Sequence, residues 1–131
     1  MEIRLSTAEG LPVYRQITNQ VKYLIASGRL RPGQELPAIR TLAERLVINP
    51  NTVVHAYAEL AREGVVVSRH GSGTYVAEPA AGRPSSRATA QKLVPKADSL
   101  LTDALHLKVE LESVVQLVRD RHQILKPNDQ P

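Results

Sequence analysis

The dipeptide Asn49-Pro50 constrains this chain more than any other feature. A proline pushes the residue before it out of the helical region and is itself well suited to the first position of a helix. One helix must therefore end just before this point and another begin at it. Apolar residues recur at helical spacing on both sides: Ile39, Leu42, Ala43 and Leu46 before it, and Val53, Ala56, Tyr57 and Leu60 after it. The spacing predicts a short helix over about 38–47 and a second over 51–63, with Asn49 as cap and Gly64 as stop. Two helices three or four residues apart, the second opened by a capping sequence, form a helix-turn-helix.

The flanking segments extend this motif. Residues 2–6 alternate and read as a short strand. Pro12 to Ser27 reads as a helix with Val13, Ile17, Val21, Leu24 and Ile25 on one side and Gly28 as its stop. "GRLRPGQELP" is a turn-rich connector whose Leu30 and Leu36 are expected to anchor on that helix. Beyond Gly64, the β-prone runs 65–68 and 74–77 flank Arg-His-Gly-Ser-Gly and predict a hairpin. "EPAAGRPSSRATA" reads as a linker, after which helical spacing returns. Leu93, Ala97, Leu100, Leu101, Ala104 and Leu105 mark one helix, and Leu111, Val114, Val115, Val118 and Leu125 another. The expected organisation is a domain over 1–78, a linker over 79–90 and a two-helix tail over 91–131, mainly α with a small β-hairpin.

Chemistry is narrowed by what is missing. The sequence has no cysteine, so disulfides, thiolate metal sites and thiol nucleophiles are excluded. Its four histidines, His55, His70, His106 and His122, have no second histidine at i,i+4, and no metal site or cofactor is expected. "GSG" lacks the Lys-Ser/Thr and following helix of a phosphate loop. Ser68 or Ser72 near His70 has no carboxylate to orient the imidazole. No enzymatic activity is expected. No apolar run approaches the roughly 20 residues that span a bilayer, and residues 1–10 have no signal-peptide pattern, so a cytoplasmic location is expected. The net charge of +4 permits a polyanionic partner.

At about 100° per residue, Asn51, Thr52, His55, Ala58 and Glu59 fall opposite the apolar stripe of the helix after Pro50. Short polar side chains on the outer N-terminal turn suit the major groove of DNA, where Asn pairs with adenine and Thr meets a thymine methyl or a phosphate. The hairpin carries Arg69 and His70 without an acid, and Gly71 and Gly73 allow close backbone approach at its tip. Such a tip fits the minor-groove side.

Residues 12–76, with "YRQI", "SGRLRPGQELP", "R-x-L-A", "N-P-N-T-V", "A-Y-x-E-L-x-x-E-G" and "R-x-G-S-G-T-Y-V", resemble the winged helix-turn-helix domain of the GntR family of bacterial transcription regulators. "NPNTV" and the short tail resemble its small YtrA subfamily, in which a C-terminal helix pair dimerises. The resemblance implies DNA contacts by Arg40, Asn49, Asn51, Thr52 and His55, and a wing with His70 and Gly71 at its tip, where Arg69 and Ser72 adjoin. It also implies a homodimer held through Leu101, Leu105, Leu111, Val114, Val115 and Val118, and a repressor of a transporter operon. Arg40 has a separate rationale, since from the start of its helix it reaches the backbone or a guanine edge. No large effector domain is expected, because two helices enclose little volume against pockets of about 300 Å³ or more; a small effector between subunits is left open. Four positions depart from the family pattern. Ala38 stands at the usual capping Ser, Val47 at the usual Gly, and Pro50 and Val54 where relatives often have a basic residue. Val47 is expected to alter the turn or the helix end, because a β-branched residue resists the left-handed conformation. Two alternatives remain: the DNA-binding portion of a larger aminotransferase-containing regulator, and a winged-helix protein-interaction module.

Overall fold

The computed structural model describes residues 1–7, 10–69, 71–78 and 86–125. The chain divides into two compact units, Met1–Ala80 and Ala81–Pro131.

In the first unit the helices are α1 (Val13–Ala26), α2 (Ile39–Leu46) and α3 (Pro50–Arg62), followed by strands β1 (Val66–Arg69) and β2 (Gly73–Val76). The predicted apolar stripes meet. Ile17 and Val21 of α1, Leu42 and Ala43 of α2, and Val53, Ala56, Tyr57 and Leu60 of α3 are all buried, together with Ile3, Leu30, Leu36, Val66 and Val76. Helix α3 lies at the centre and packs on α1, α2 and β1. Buried Tyr57 donates a hydrogen bond of 2.8 Å to the Pro37 carbonyl, which pins α3 to the residues just ahead of α2. Burial raises the Tyr57 hydroxyl well above its ordinary pKa, partly offset by nearby Arg45, so the donor keeps its proton.

The helix ends follow local chemistry. The Asn49 side chain accepts from the Asn51 amide at 2.9 Å and caps α3, with Pro50 at the first position. Gly64 closes α3 in the left-handed region at φ 76°. Helix α2 starts at Ala38 without a side-chain cap. At its other end Val47 does adopt the left-handed conformation, φ 55° and ψ 53°, contrary to the expectation of an altered turn. The Ile48 amide donates to Ala43 at 3.0 Å and the Val47 amide to Glu44 at 3.3 Å, the paired bonds of a Schellman ending. Ile48 packs against the core, and the turn is thus kept at the cost of backbone strain in Val47, which is 88% exposed. Val47→Gly should remove that strain without losing packing. A left-handed non-glycine residue costs about 1–2 kcal/mol and the added freedom of glycine in the unfolded chain offsets about 0.4–1, so stability should rise by about 0.5–1 kcal/mol. A chemical-denaturation midpoint that stays put or falls would refute the strain.

Two segments differ from the sequence expectation. Residues 2–6 form no strand. Gln16 and Gln20, one turn apart on α1, hold them instead: Gln16 accepts from the Ser6 amide (2.8 Å) and donates to the Ser6 and Leu11 carbonyls, while Gln20 pairs with both backbone groups of Arg4. Side-chain amides replace a neighbouring strand, each offering a donor and an acceptor. The connector before α2 also does more than turn. Strands β1 and β2 pair antiparallel with Val66 opposite Val76 and Arg69 opposite Gly73. On the other edge of β2, Leu36 donates to Thr74, Val76 to Gln34, and Gly33 to Val76, at 2.8, 2.8 and 2.9 Å. Residues 33–36 thereby cover an edge that would otherwise carry unpaired backbone groups.

The second unit consists of α4 (Ser86–His106) and α5 (Leu111–Leu125), packed on each other. Helix α4 begins inside the stretch expected to be a linker. "SRATA" is compatible with helix despite its composition, alanine being the best helix former, and Pro95 is accommodated within α4 at the loss of one backbone bond. Lys108, at φ 59°, turns the chain, with Val109 donating to Ala104 at 2.8 Å.

Candidate nucleic-acid interface

The outer face of α3 is assembled by its own start. The Asn49 cap uses its side-chain oxygen, and Asn49, Asn51, Val54, His55 and Ala58 are exposed while Thr52 is half-buried. Helical spacing places Val54, Ala58, Asn51 and His55 within an arc of about 100°. Nothing on this arc carries a fixed charge. The charged residues lie toward the end of α3, where Glu59 contacts Arg62 and stands 3.9 Å from His55 Nε2.

His55 is less free than its exposure suggests. Its ring stacks on Tyr14 of α1 with centroids 3.9 Å apart and planes 20° from parallel, and Arg15 lies 5.4 Å from the Tyr14 ring. Tyr14 therefore joins the site through a contact that no local spacing announces. An aromatic residue beside the apolar stripe at the start of α1 was the available signal.

Arg40, the second residue of α2, is exposed, and among the described residues its guanidinium has no hydrogen-bond or carboxylate partner. It keeps all its donors for an external acceptor. On the hairpin, Arg69 lies over the Tyr75 ring at 4.7 Å, and the Ser72 and Tyr75 hydroxyls are 2.6 Å apart. Tyr75, another residue not anticipated, thus braces both side chains of the wing. Gly71 has φ 74° and open space where a side chain would be, so its backbone can approach a partner closely. His70 lies outside the described residues.

In the tail, Ala104 and Val114 are buried between the helices. Leu101, Leu111, Val114, Val115 and Val118, with Ala97 and Leu100, line an apolar groove of about 350 Å³. That is larger than expected of two helices, because it is an open groove between them rather than an enclosed cavity. Leu105, read as part of the same stripe, is 77% exposed and does not line it. Among the described residues no three His, Asp or Glu side chains gather as metal ligands, and no helix is long and apolar enough to cross a membrane.

Comparison with known proteins agrees with this geometry. Residues 13–76 match the family model described as bacterial regulatory proteins, gntR family. The chain is 35% identical over 118 residues to the HTH-type transcriptional repressor YtrA of Bacillus subtilis, covering 90% of each protein. It superposes on the crystal structure of a transcriptional antiterminator from Listeria monocytogenes with a TM-score of 0.80 and 30% identity, covering 100% of this chain and 97% of that one. The AraR DNA-binding domain, in a structure with operator ORX1, is 26% identical with a TM-score of 0.52, over 59% of this chain and 96% of that one. The chain belongs to the GntR family of DNA-binding bacterial transcription regulators.

Proposed function

We propose that the protein acts in the cytoplasm as a homodimeric repressor that occupies a pseudo-palindromic operator. The observation that carries the reading is the outer face of α3: capped by Asn49, free of fixed charge from Asn51 to Ala58, and accompanied by the wing and by Arg40, which is unpaired among the described residues. In this reading α3 enters the major groove with Asn51, Thr52 and His55 at the bases, Arg40 and Asn49 beside it, and Arg69, His70, Gly71 and Ser72 on the minor-groove side. The AraR domain in its operator complex supports DNA as the partner, and the repressor name of the B. subtilis relative supports the sign of the output.

Residues 1–78 read the DNA, and the tail supplies the dimer. Two half-sites then lie about one helical turn apart, roughly 34 Å. Control of a transporter operon is part of this reading through the YtrA resemblance, and a small effector between subunits is compatible with it. Titration of a DNA site selected from a random pool, at increasing salt, tests the core of the proposal. The logarithm of affinity should fall linearly with the logarithm of salt, by about 0.9 for each phosphate neutralised. Binding that ignores both salt and sequence would favour a protein-interaction module instead.

A further inference from the structure

We propose that Val54, supported by Ala58 one turn further on, reads the C5-methyl group of thymine, making the operator half-site one recognised largely through A·T pairs. The inference rests on the DNA-reading role of α3 and says which base chemistry that helix selects. Val54 is 46% exposed although valine favours burial, and it is no part of the core that Val53, Ala56, Tyr57 and Leu60 build. It shares its arc with Ala58, Asn51 and His55. Residues four apart on a helix lie about 5–6 Å from each other, so Val54 and Ala58 form a small apolar strip bordered by one amide and one imidazole. A single exposed valine needs no explanation. Here, however, the strip continues the face that meets the bases.

In the major groove, thymine alone among the four bases presents a methyl group, and apolar side chains contact it. Asn51, on the same arc, offers the donor-acceptor pair that matches adenine N6 and N7. Guanine is the usual partner of Arg or Lys, and α3 has neither between Pro50 and Ala61. The chemistry of this face therefore selects methyl and amide contacts over guanidinium contacts. His55 is held against Tyr14, which leaves the strip open rather than covered by the neighbouring imidazole.

The test uses the full-length chain and a duplex selected from random DNA, in which each thymine of a half-site is replaced singly by deoxyuridine. That change removes the methyl group and leaves the base pair. Affinity should fall about fourfold at one or two thymines, the size expected for one buried methyl group. The Val54→Ala protein, whose thermal unfolding should match the parent because Val54 lies outside the core, should lose that penalty at the thymine Val54 contacts. Indifference of the parent to every deoxyuridine, or an unchanged penalty in Val54→Ala, overturns the inference while the operator reading stands. If no sequence is enriched from the pool, the operator reading fails and the inference with it.

Discussion

Replacing Leu111 and Val115 together by Asp should give a protein that folds as a monomer and binds a full operator at least a hundredfold more weakly. Both residues line the apolar groove between α4 and α5, and Leu111 is 62% exposed. In the single chain the groove leaves Leu101, Leu111 and Val118 partly exposed, at 39%, 62% and 49%, a contiguous apolar face of the kind that marks an interaction site. A second copy offers the same face, and a two-fold dimer is the commonest closed arrangement. Two carboxylates per subunit would enter that interface, where Arg119 is the cation that lines the groove, and each carboxylate left unpaired costs several kcal/mol. Because each Asp is tolerated in water, the monomer itself should keep its helices. The larger consequence falls on DNA. Two linked readers gain about 10² to 10⁴ in avidity over one, and that gain disappears when the link does. Light scattering reports the mass and an operator titration the affinity. A variant that remains dimeric moves the interface away from this groove.

The second large effect belongs to Arg40. Its exposed guanidinium, unpaired among the described residues, lies in the first turn of α2, the helix before the one proposed to face the bases. If it forms a bidentate contact with guanine, Arg40→Ala should cost about 1–3 kcal/mol, and the loss should shrink on sites altered at the matching base pair. If it holds a phosphate, binding should weaken equally on all sequences and the salt slope should drop by about one. Stability and dimerisation should not change in either case. Unaltered affinity for every DNA would remove Arg40 from the interface.

Where the chain carried its own punctuation, structure could be read directly. Pro12 and Gly28 bracket α1, and Asn49-Pro50 and Gly64 bracket α3, to within a residue or so of the observed ends. The division of α3 into a buried stripe and an outer face followed from helical geometry alone. The parts not foreseen depend on pairings between distant residues. Backbone bonds from residues 33–36 to β2 leave no trace in side-chain pattern, and Pro32 and Pro37 hide so short an extended segment. The Tyr14–His55 stack joins residues 41 positions apart and depends on how α1 crosses α3. Gln16 was more accessible to reasoning: an amide next to Ile17, on the buried side of an otherwise apolar stripe, needs a partner, and the backbone of Ser6 and Leu11 provides it. Val47 shows the opposite limit. Conformational preference argued against the left-handed turn, but the packing of Ile48 and the helix-ending bonds outweighed it.

The short connector ahead of α2 also acts as a mechanical brace. Leu36 is bonded to β2 through Thr74, and its neighbour Pro37 is bonded to α3 through Tyr57. Wing and α3 are thus struts of one frame, joined across two consecutive residues. The distance between what the wing touches and what α3 touches is set in the protein before any encounter. Duplexes whose groove widths do not match that distance must deform to fit, and the cost of deforming them becomes a means of discrimination at base pairs that no side chain reaches.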